Sequence, residues 1–506
     1  MYRKNIKQLE FENFNLPFGG QLRSDNRWVK LAKLIPWEEI EQFYMKSLSE
    51  TGMGASALPA RRALGALIIK ERLGFSDRET VAQIQENPYL QYFIGLKAYQ
   101  DEPAFDASML VHFRKRFGNG ELNKINELVS SKAIKEQEKR SKSKKSDKDD
   151  DGEAGGSGKE QRKGKLLMDA TCTPADITYP TDLKLLNDAR EKSEEIIDIL
   201  HQPLKGKYKK PRTYRQRARK NFLKTVKSRR TGRKQLRKAI RKQLNYLKRN
   251  LKNIAKLNER SPLSLLNKRQ YKNLLVIHEI CRQQKWMYDN KSIRISDRIV
   301  SLSQPHIRPV KRGKAGSETE FGAKLSVSLV EGFAFVDRIS WDNYNESGDL
   351  KNQVETYRDR FGVYPESVHA DKIYRTRENR SYCKKHGIRL SGPPLGRPRT
   401  VTEENREELK KEAMQSYQDE VDRIPIEGKF GEGKRRYSLS RIMSKLPKTS
   451  EVTIILNFLV MNLLKWLKAI NFYLVYCLLS RLSDFTRRVL QADRVADSVE
   501  IRVVAS

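Results

Sequence analysis

Thirty consecutive residues, Lys135 to Gly164, read KEQEKRSKSKKSDKDDDGEAGGSGKEQRKG, and Ala154 is their only apolar side chain. A stretch with nothing to bury cannot offset the entropy of ordering itself. We therefore expect a disordered charged linker at 135–164 with a folded part on either side. At 506 residues the chain has room for about three domains with sizeable cores.

The part before the linker, 1–134, reads as an all-α domain. Leu64, Leu67 and Ile68 follow helical spacing, and Ser76 with Glu79 three residues on forms a capping box. Residues 75–96, FSDRETVAQIQENPYLQYFIGL, have the cadence of two short helices around Asn87-Pro88. Both a helix-turn-helix and an ordinary helical bundle fit that cadence.

After the linker the pattern changes. Residues 165–172 read as a strand, and from Thr181 to about Arg312 the period turns helical, as in LKLLNDAREKSEEIIDIL. Strand signals resume at 321–340, where Leu325, Val327 and Leu329 alternate with polar residues and Glu331-Gly332 suits a two-residue hairpin turn. A helix at 347–362, the strand-like PESVHADKIY, a helix near 376–386 and a strand at 387–392 follow. This order gives an α/β fold around a mixed sheet. The expected divisions are a core at 165–182 and 316–448, a basic helical insertion at 183–315, and C-terminal helices at 449–506.

Lys and Arg outnumber Asp and Glu by 101 to 63, a net charge of +38. Such an excess attracts polyanions, nucleic acid first. It is concentrated: between Pro203 and Asn258 lie 23 Lys or Arg and no acidic residue. A solvated helix face normally mixes signs through i,i+4 pairs, and here there are none to mix. The reading is a DNA or RNA contact, in preference to a merely solvated face, through Arg215, Arg219, Lys220, Arg229, Arg230 and Arg233, continuing through Lys234, Arg237, Lys238, Arg241 and Lys242. Tyr208, Tyr214, Phe222 and Tyr246 are interspersed and suit stacking or packing equally. Arg308, Arg312 and Lys314, just before the hairpin, read as DNA contacts or as a solvated loop.

Other classes recede. Four scattered cysteines and six histidines lack metal-ligand spacing, and a reducing cytosol suits the thiols. The N-terminal MYRKNIKQLEFEN has no apolar leader segment. In 452–479 the residues Asn457, Asn462, Lys465, Lys468 and Asn471 interrupt the apolar run, so a buried helix pair is expected there and no membrane partner.

An aspartate, Asp169, lies in the apolar run LLMDATC at the end of the strand-like LLMD, just as a second, Asp371, ends the strand ESVHAD. A buried carboxylate is costly unless paired or metal-bound. In open α/β sheets, sites gather at strand carboxyl ends. Two such carboxylates become hard oxygen ligands for Mg²⁺, and two ions there clamp a phosphoryl displacement. A third acid is Glu427, with Arg423 four residues before it and Lys434 seven after. In a helix all three share one face. Pro425, Gly428, Gly431 and Gly433 oppose a helix, and local propensity leaves the choice open.

The set LLMDAT, EFGAK, VHADKIY and R-x3-E-x6-K resembles the DDE transposases of bacterial insertion sequences, in the insertion sequence five group of the broader insertion sequence four superfamily. The resemblance covers most of the chain. It implies an RNase H-like catalytic domain behind the helical N-terminal domain, and a helix at Glu427. It implies a catalytic and metal-binding triad of Asp169, Asp371 and Glu427 with two Mg²⁺, for which Mn²⁺ can substitute. Arg423, Lys434 and Lys372 would touch DNA phosphates. The implied reaction is cleavage of double-stranded DNA at the element's terminal inverted repeats and joining of the 3′-OH ends to target DNA. The implied partners are that DNA and a second copy in the synaptic complex, in the bacterial cytoplasm and on the nucleoid when bound. Two positions depart from the family pattern: Glu420 where a tyrosine is frequent, and Ile373 where glycine is frequent. The rival readings are a catalytically inactive DNA-binding derivative and a metal-dependent nuclease without strand transfer. His369 reads as a packing residue and Trp341 as a core anchor.

Overall fold

The structure, a computed structural model, describes residues 14–16, 19–46, 48, 56–145, 164–314, 317–397, 399–473 and 475, apart from the side chains of 141–145, 312–314 and 317–318. Seven helices precede the sheet among the described residues. They are α1 (Arg27–Leu34), α2 (Trp37–Met45), α3 (Ala60–Leu73), α4 (Asp77–Glu86), α5 (Pro88–Phe93), α6 (Met109–Arg116) and α7 (Asn119–Lys145). Ser76 caps α4 by accepting from the Glu79 N–H at 3.1 Å. The Glu79 carboxylate accepts from Gln83 at 3.1 Å. Helix α5 is six residues long and buries Leu90, Gln91, Tyr92 and Phe93. An element that short and that buried presents no recognition helix, so this pair is part of a bundle.

The sheet is built from β1 (Lys165–Pro174), β2 (Pro309–Lys314), β3 (Ser317–Val330), β4 (Phe333–Ser340), β5 (Ser367–Ala370) and β6 (Arg389–Leu390). Its order is β2-β3-β1-β5-β6, with β4 also on β3. Strand β1 is antiparallel to β3 and parallel to β5, and β5 is parallel to β6. The fold is thus mixed α/β. Glu331 and Gly332 both have positive φ, 49° and 75°, which is the two-residue hairpin turn between β3 and β4.

Between β1 and β2 lie α8 (Asp182–His201), α9 (Arg215–Val226), α10 (Arg233–Asn258) and α11 (Lys268–Asp289). These helices own a separate core, in which Leu186, Ile197, Leu247, Ile254 and Ile277 are buried together. After the hairpin come α12 (Leu350–Phe361), α13 (Arg377–Lys385), α14 (Arg406–Arg436) and α15 (Pro447–Tyr473).

Three expected boundaries shift. Residues 135–145, assigned to the linker, continue α7. Long-range contacts hold the turn that composition alone would release: Trp466 Nε1 donates to Glu136 Oε2 at 3.1 Å, and Arg140 lies over Tyr473. The rest of the expected linker, from 146 to 163, lies outside the described residues. Residues 309–314, assigned to the insertion, form β2 and pair with β3. In place of a C-terminal helix pair, the described residues hold one helix, α15, and 476–506 lie outside them.

Helix α15 is long and apolar enough to cross a membrane by length and composition, yet most of it is buried inside the protein. Its interrupting Asn462 has a local job. The Asn462 side chain donates to Ala334 O, Asn126 Oδ1 and Ser130 Oγ and accepts from the Ala334 N–H. The open backbone edge of β4 is thereby satisfied by side chains of α7 and α15. One continuous core therefore joins the N-terminal helices, the sheet and α15.

Candidate active site

Pairing of β1 with β5 runs from Lys165↔Ser367 to Met168↔Ala370 and stops, while pairing with β3 continues to Pro174. Asp169 is thus mid-strand in β1, not at its end as expected. It stands at the step where β5 ends and Asp371 follows. The two aspartates become neighbours because one strand outlives its partner. Asp371 is exposed and accepts from the Lys372 N–H at 2.7 Å, which turns the chain into a short 3-10 segment. Asp169 is half-buried, and burial pushes its carboxyl up to about 6. The Ala170 N–H, at 2.8 Å, and the Arg423 charge pull it back; Asp371 and Glu346 push it further up.

Glu427 arrives on α14, which remains helical through Pro425. Pro425 is on an exposed side of the helix, so the carbonyl it fails to serve can turn to water. Gly433 has a packing reason: a Cβ there would sit 2.6 Å from Leu439 and 3.5 Å from Met461 of α15. Asp419, one helical face away, pins α14 to the sheet. It receives two hydrogen bonds from Arg389 of β6, both 2.8 Å, and one from the Gly392 N–H. Burial alone would raise the Asp419 carboxyl, but the Arg389 hydrogen bonds hold it below its ordinary value. His369 is fully buried beside Asp419, with its ring nitrogen 3.0 Å from Ser367 Oγ, a packing role as expected.

With α14 held there, one guanidinium joins the second aspartate to the glutamate. Arg423 Nη2 lies 2.9 Å from Glu427 Oε1, and Nη1 lies 3.6 Å from Asp371 Oδ1. Among the described residues no three His, Cys, Asp or Glu side chains stand close enough to hold one metal ion. The cation at the centre of the cluster is Arg423. The donor set of Asp169, Asp371 and Glu427 is all carboxylate oxygen, which fits a hard divalent ion, and Arg423 marks where positive charge is accepted.

Residues 368–464, which contain Asp371, Arg423, Glu427 and Lys434, match the family model of the Transposase DDE domain. Residues 17–116 match that of a Transposase domain (DUF772). Both matches are to transposase domains, which supports a transposase. The chain is also 27% identical over 157 residues to "Uncharacterized protein ORF8 in nfe locus" of Rhizobium meliloti, a stretch that covers 31% of this chain and 66% of that relative. No solved structure matches it.

Around these three carboxylates, Lys372 is exposed beside Asp371, and Lys434 is partly exposed two turns beyond Glu427. Two neighbours were not singled out from the sequence. Lys324, the lysine of EFGAK, is buried and lies 2.8 Å from Glu346, whose charge bears on Asp169. Arg375 donates to Ala370 O at 3.3 Å and feels both Asp371 and Arg423. The motif EFGAK is the one signal that could have found Lys324; no spacing rule reaches Glu346 or Arg375.

The basic residues of the insertion divide. Arg219, Lys220, Arg229, Arg230, Arg233, Lys234, Lys238, Arg241 and Lys242 are exposed on α9, α10 and the turn between them. Arg215 is held by Asp198 at 2.7 and 3.1 Å, and Arg237 stacks on Tyr288 and donates to its carbonyl at 2.8 Å. Tyr214 and Tyr246 pack under Arg249, and Tyr208 under Arg260, so three of the interspersed aromatics serve the insertion itself. Arg308 donates to Pro305 O and Ile307 O and lies 3.7 Å from Asp342. The side chains of Arg312 and Lys314 lie outside the described residues. Trp341 donates to Glu451 at 2.7 Å and meets His306 edge-on, an anchoring role.

Proposed function

We propose that this protein is a DDE transposase that binds the terminal inverted repeats of an insertion sequence, cuts the element ends by metal-dependent phosphodiester hydrolysis, and joins the 3′-OH ends to target DNA. The observation that carries the reading is the meeting of Asp169 and Asp371 at the end of β5, with Glu427 tied to Asp371 through Arg423. The strand order, with its antiparallel β3 and parallel β5 flanking β1, supports an RNase H-like catalytic domain. The quoted motifs support the insertion sequence five group. The carboxylates of Asp169, Asp371 and Glu427 would hold Mg²⁺ or Mn²⁺, which when bound supplies Lewis acidity toward the phosphoryl oxygens.

The chain's own groups do the positioning. Arg423 lies beside Asp371 and Glu427, where a guanidinium can grip a phosphate in fork geometry. Lys434 and Lys372 extend that grip along the strand. The exposed bases of α9 and α10 neutralise duplex backbone at a distance from the chemistry, and the N-terminal helices contribute to repeat recognition. The acting form is a homodimer that brings two element ends together, in the cytoplasm and at the nucleoid.

The test is cleavage of a plasmid carrying the gene with its own flanking DNA, in Mg²⁺ and in EDTA. Nicks at the element ends that require metal, followed by joined products, are expected. Cutting that ignores the ends, or ends cut but never joined, would replace the reading with a nuclease. Specific binding with no cutting in either metal would replace it with an inactive DNA-binding derivative.

A further inference from the structure

The side of α14 turned away from Glu427 borders a cavity that the proposed reaction does not use. In a helix, Arg423, Glu427 and Lys434 share one face, and Pro425, Lys429 and Glu432 fall on the opposite one. That second face, with the hairpin turn at Gly332 and with Lys465 and Lys468 of α15, lines a cavity of about 340 Å³. Small-molecule pockets run from roughly 300 to 1,000 Å³, so this one suits a small ligand.

The charges around it are unbalanced. Lys429 is 9% exposed and lies 3.5 Å from Glu432, the one carboxylate in the lining against three lysines. Burial pushes the Lys429 amine below its ordinary value, Lys465 and Lys468 push it further, and Glu432 pulls it back. Burial also lowers Lys465, against the pull of Glu432 and of Glu331, which is exposed in the turn. The Phe333 ring, 5.1 Å from Lys465 Nζ, takes part of that charge. Like charges gathered on a partly dry wall are costly unless an anion comes between them. Two glycines keep the space clear. A Cβ on Gly332 would collide with Lys465 Nζ, and one on Gly428 would meet nothing within 4 Å. The rest of the wall is apolar, from Leu329, Met461 and Leu464.

We propose that this cavity binds a small phosphate monoester, with the phosphate held by Lys429, Lys465 and Lys468 and the apolar body of the ester against Leu329, Met461 and Leu464. Charge-assisted hydrogen bonds from three ammonium groups suit a dianion, and the apolar wall favours an ester over bare phosphate. The ligand is a free molecule: a strand lying at Glu427 is on the far face of the same helix. Its binding needs neither cleavage nor metal, so the site stands apart from the proposed function.

The experiment is isothermal titration of the full chain, freed of nucleic acid and in EDTA, with AMP and with inorganic phosphate. One AMP per chain is expected, bound about tenfold or more tighter than phosphate. Lys429→Gln with Lys468→Gln removes two of the amines. Gly428→Met fills the open space at a position where methionine is the better helix former, so that variant keeps its fold. Each is expected to weaken AMP binding by about tenfold or more. Arg229→Ala with Arg230→Ala, in the exposed turn of the insertion, is expected to leave AMP binding unchanged, as is saturating duplex DNA. No AMP binding at millimolar concentration, or binding that survives both cavity variants, would overturn the site. Equal affinity for AMP and phosphate would overturn the ester. Displacement of AMP by duplex would overturn the free ligand and give the cavity to a DNA backbone phosphate.

Discussion

Around Asp371 and Glu427 the charges have internal partners: Arg423 bridges them, Arg389 clamps Asp419, and Lys165 reaches Asp422. Along α9 and α10 the reverse holds. Arg219, Lys220, Arg229, Arg230, Lys234 and Lys238 are exposed and form no ion pair among the described residues. The first region spends its charges on holding a geometry, and the second leaves them available to a polyanion. A separate hydrophobic core lets the insertion carry that repulsion without straining the sheet.

The contrast can be broken most forcefully from the insertion side. Replacing those six exposed residues by alanine should weaken binding to duplex DNA on the order of a thousandfold at moderate salt. The log–log salt slope should fall by about 5, since each phosphate contact contributes about 0.9. Filter binding across a salt series reads both. The pair Arg215→Ala and Arg237→Ala, whose charges are already engaged, should move the slope less than any two of the six.

On the sheet side, Asp419→Ala removes three hydrogen bonds that fix α14. It should cost about 2–3 kcal/mol in thermal or denaturant unfolding and slow cleavage, with DNA affinity kept. An unchanged unfolding midpoint would mean that α14 is held elsewhere.

A smaller effect, of opposite sign, belongs to Asp169. Its carboxyl is raised from 3.8 to about 6. A raised acid binds more protons folded than unfolded, so its stabilising share is present below pH 3.8 and lost as pH rises through about 6. Asp169→Asn should therefore be more stable than wild type at pH 7 in EDTA, on the order of 2 kcal/mol, and no more stable near pH 3.5. A variant that is less stable at pH 7 would mean the buried carboxylate has a partner that compensates for its burial.

Much of the sheet side was legible because its signals are local. The hairpin at Glu331-Gly332, the alternation of β3 and the R-x3-E-x6-K spacing each lie within a few residues of one another. What escaped depends on distant partners. Residues 135–145 look unfoldable until Trp466 and Tyr473 are placed beside Glu136 and Arg140. Arg308 looks like a surface cation until its neighbouring carbonyls are seen. The helix through Pro425 and three glycines opposes propensity, and contacts to Leu439, Met461 and the Asp419 clamp override it. On the insertion side composition gave the charge but could not say which arginines were spent.

The most direct test of the division of labour is single-turnover cleavage of element-end DNA at saturating protein, with affinity measured on the same samples. Asp371→Asn and the six-alanine insertion variant are compared with wild type. The expected result is that Asp371→Asn loses cleavage a thousandfold or more, of order 4 kcal/mol in barrier, at wild-type affinity. The insertion variant should lose affinity and still cut once saturated. Cleavage by Asp371→Asn, or a loss of cutting and binding together in both variants, would contradict the assignment of chemistry to the carboxylates and grip to the insertion.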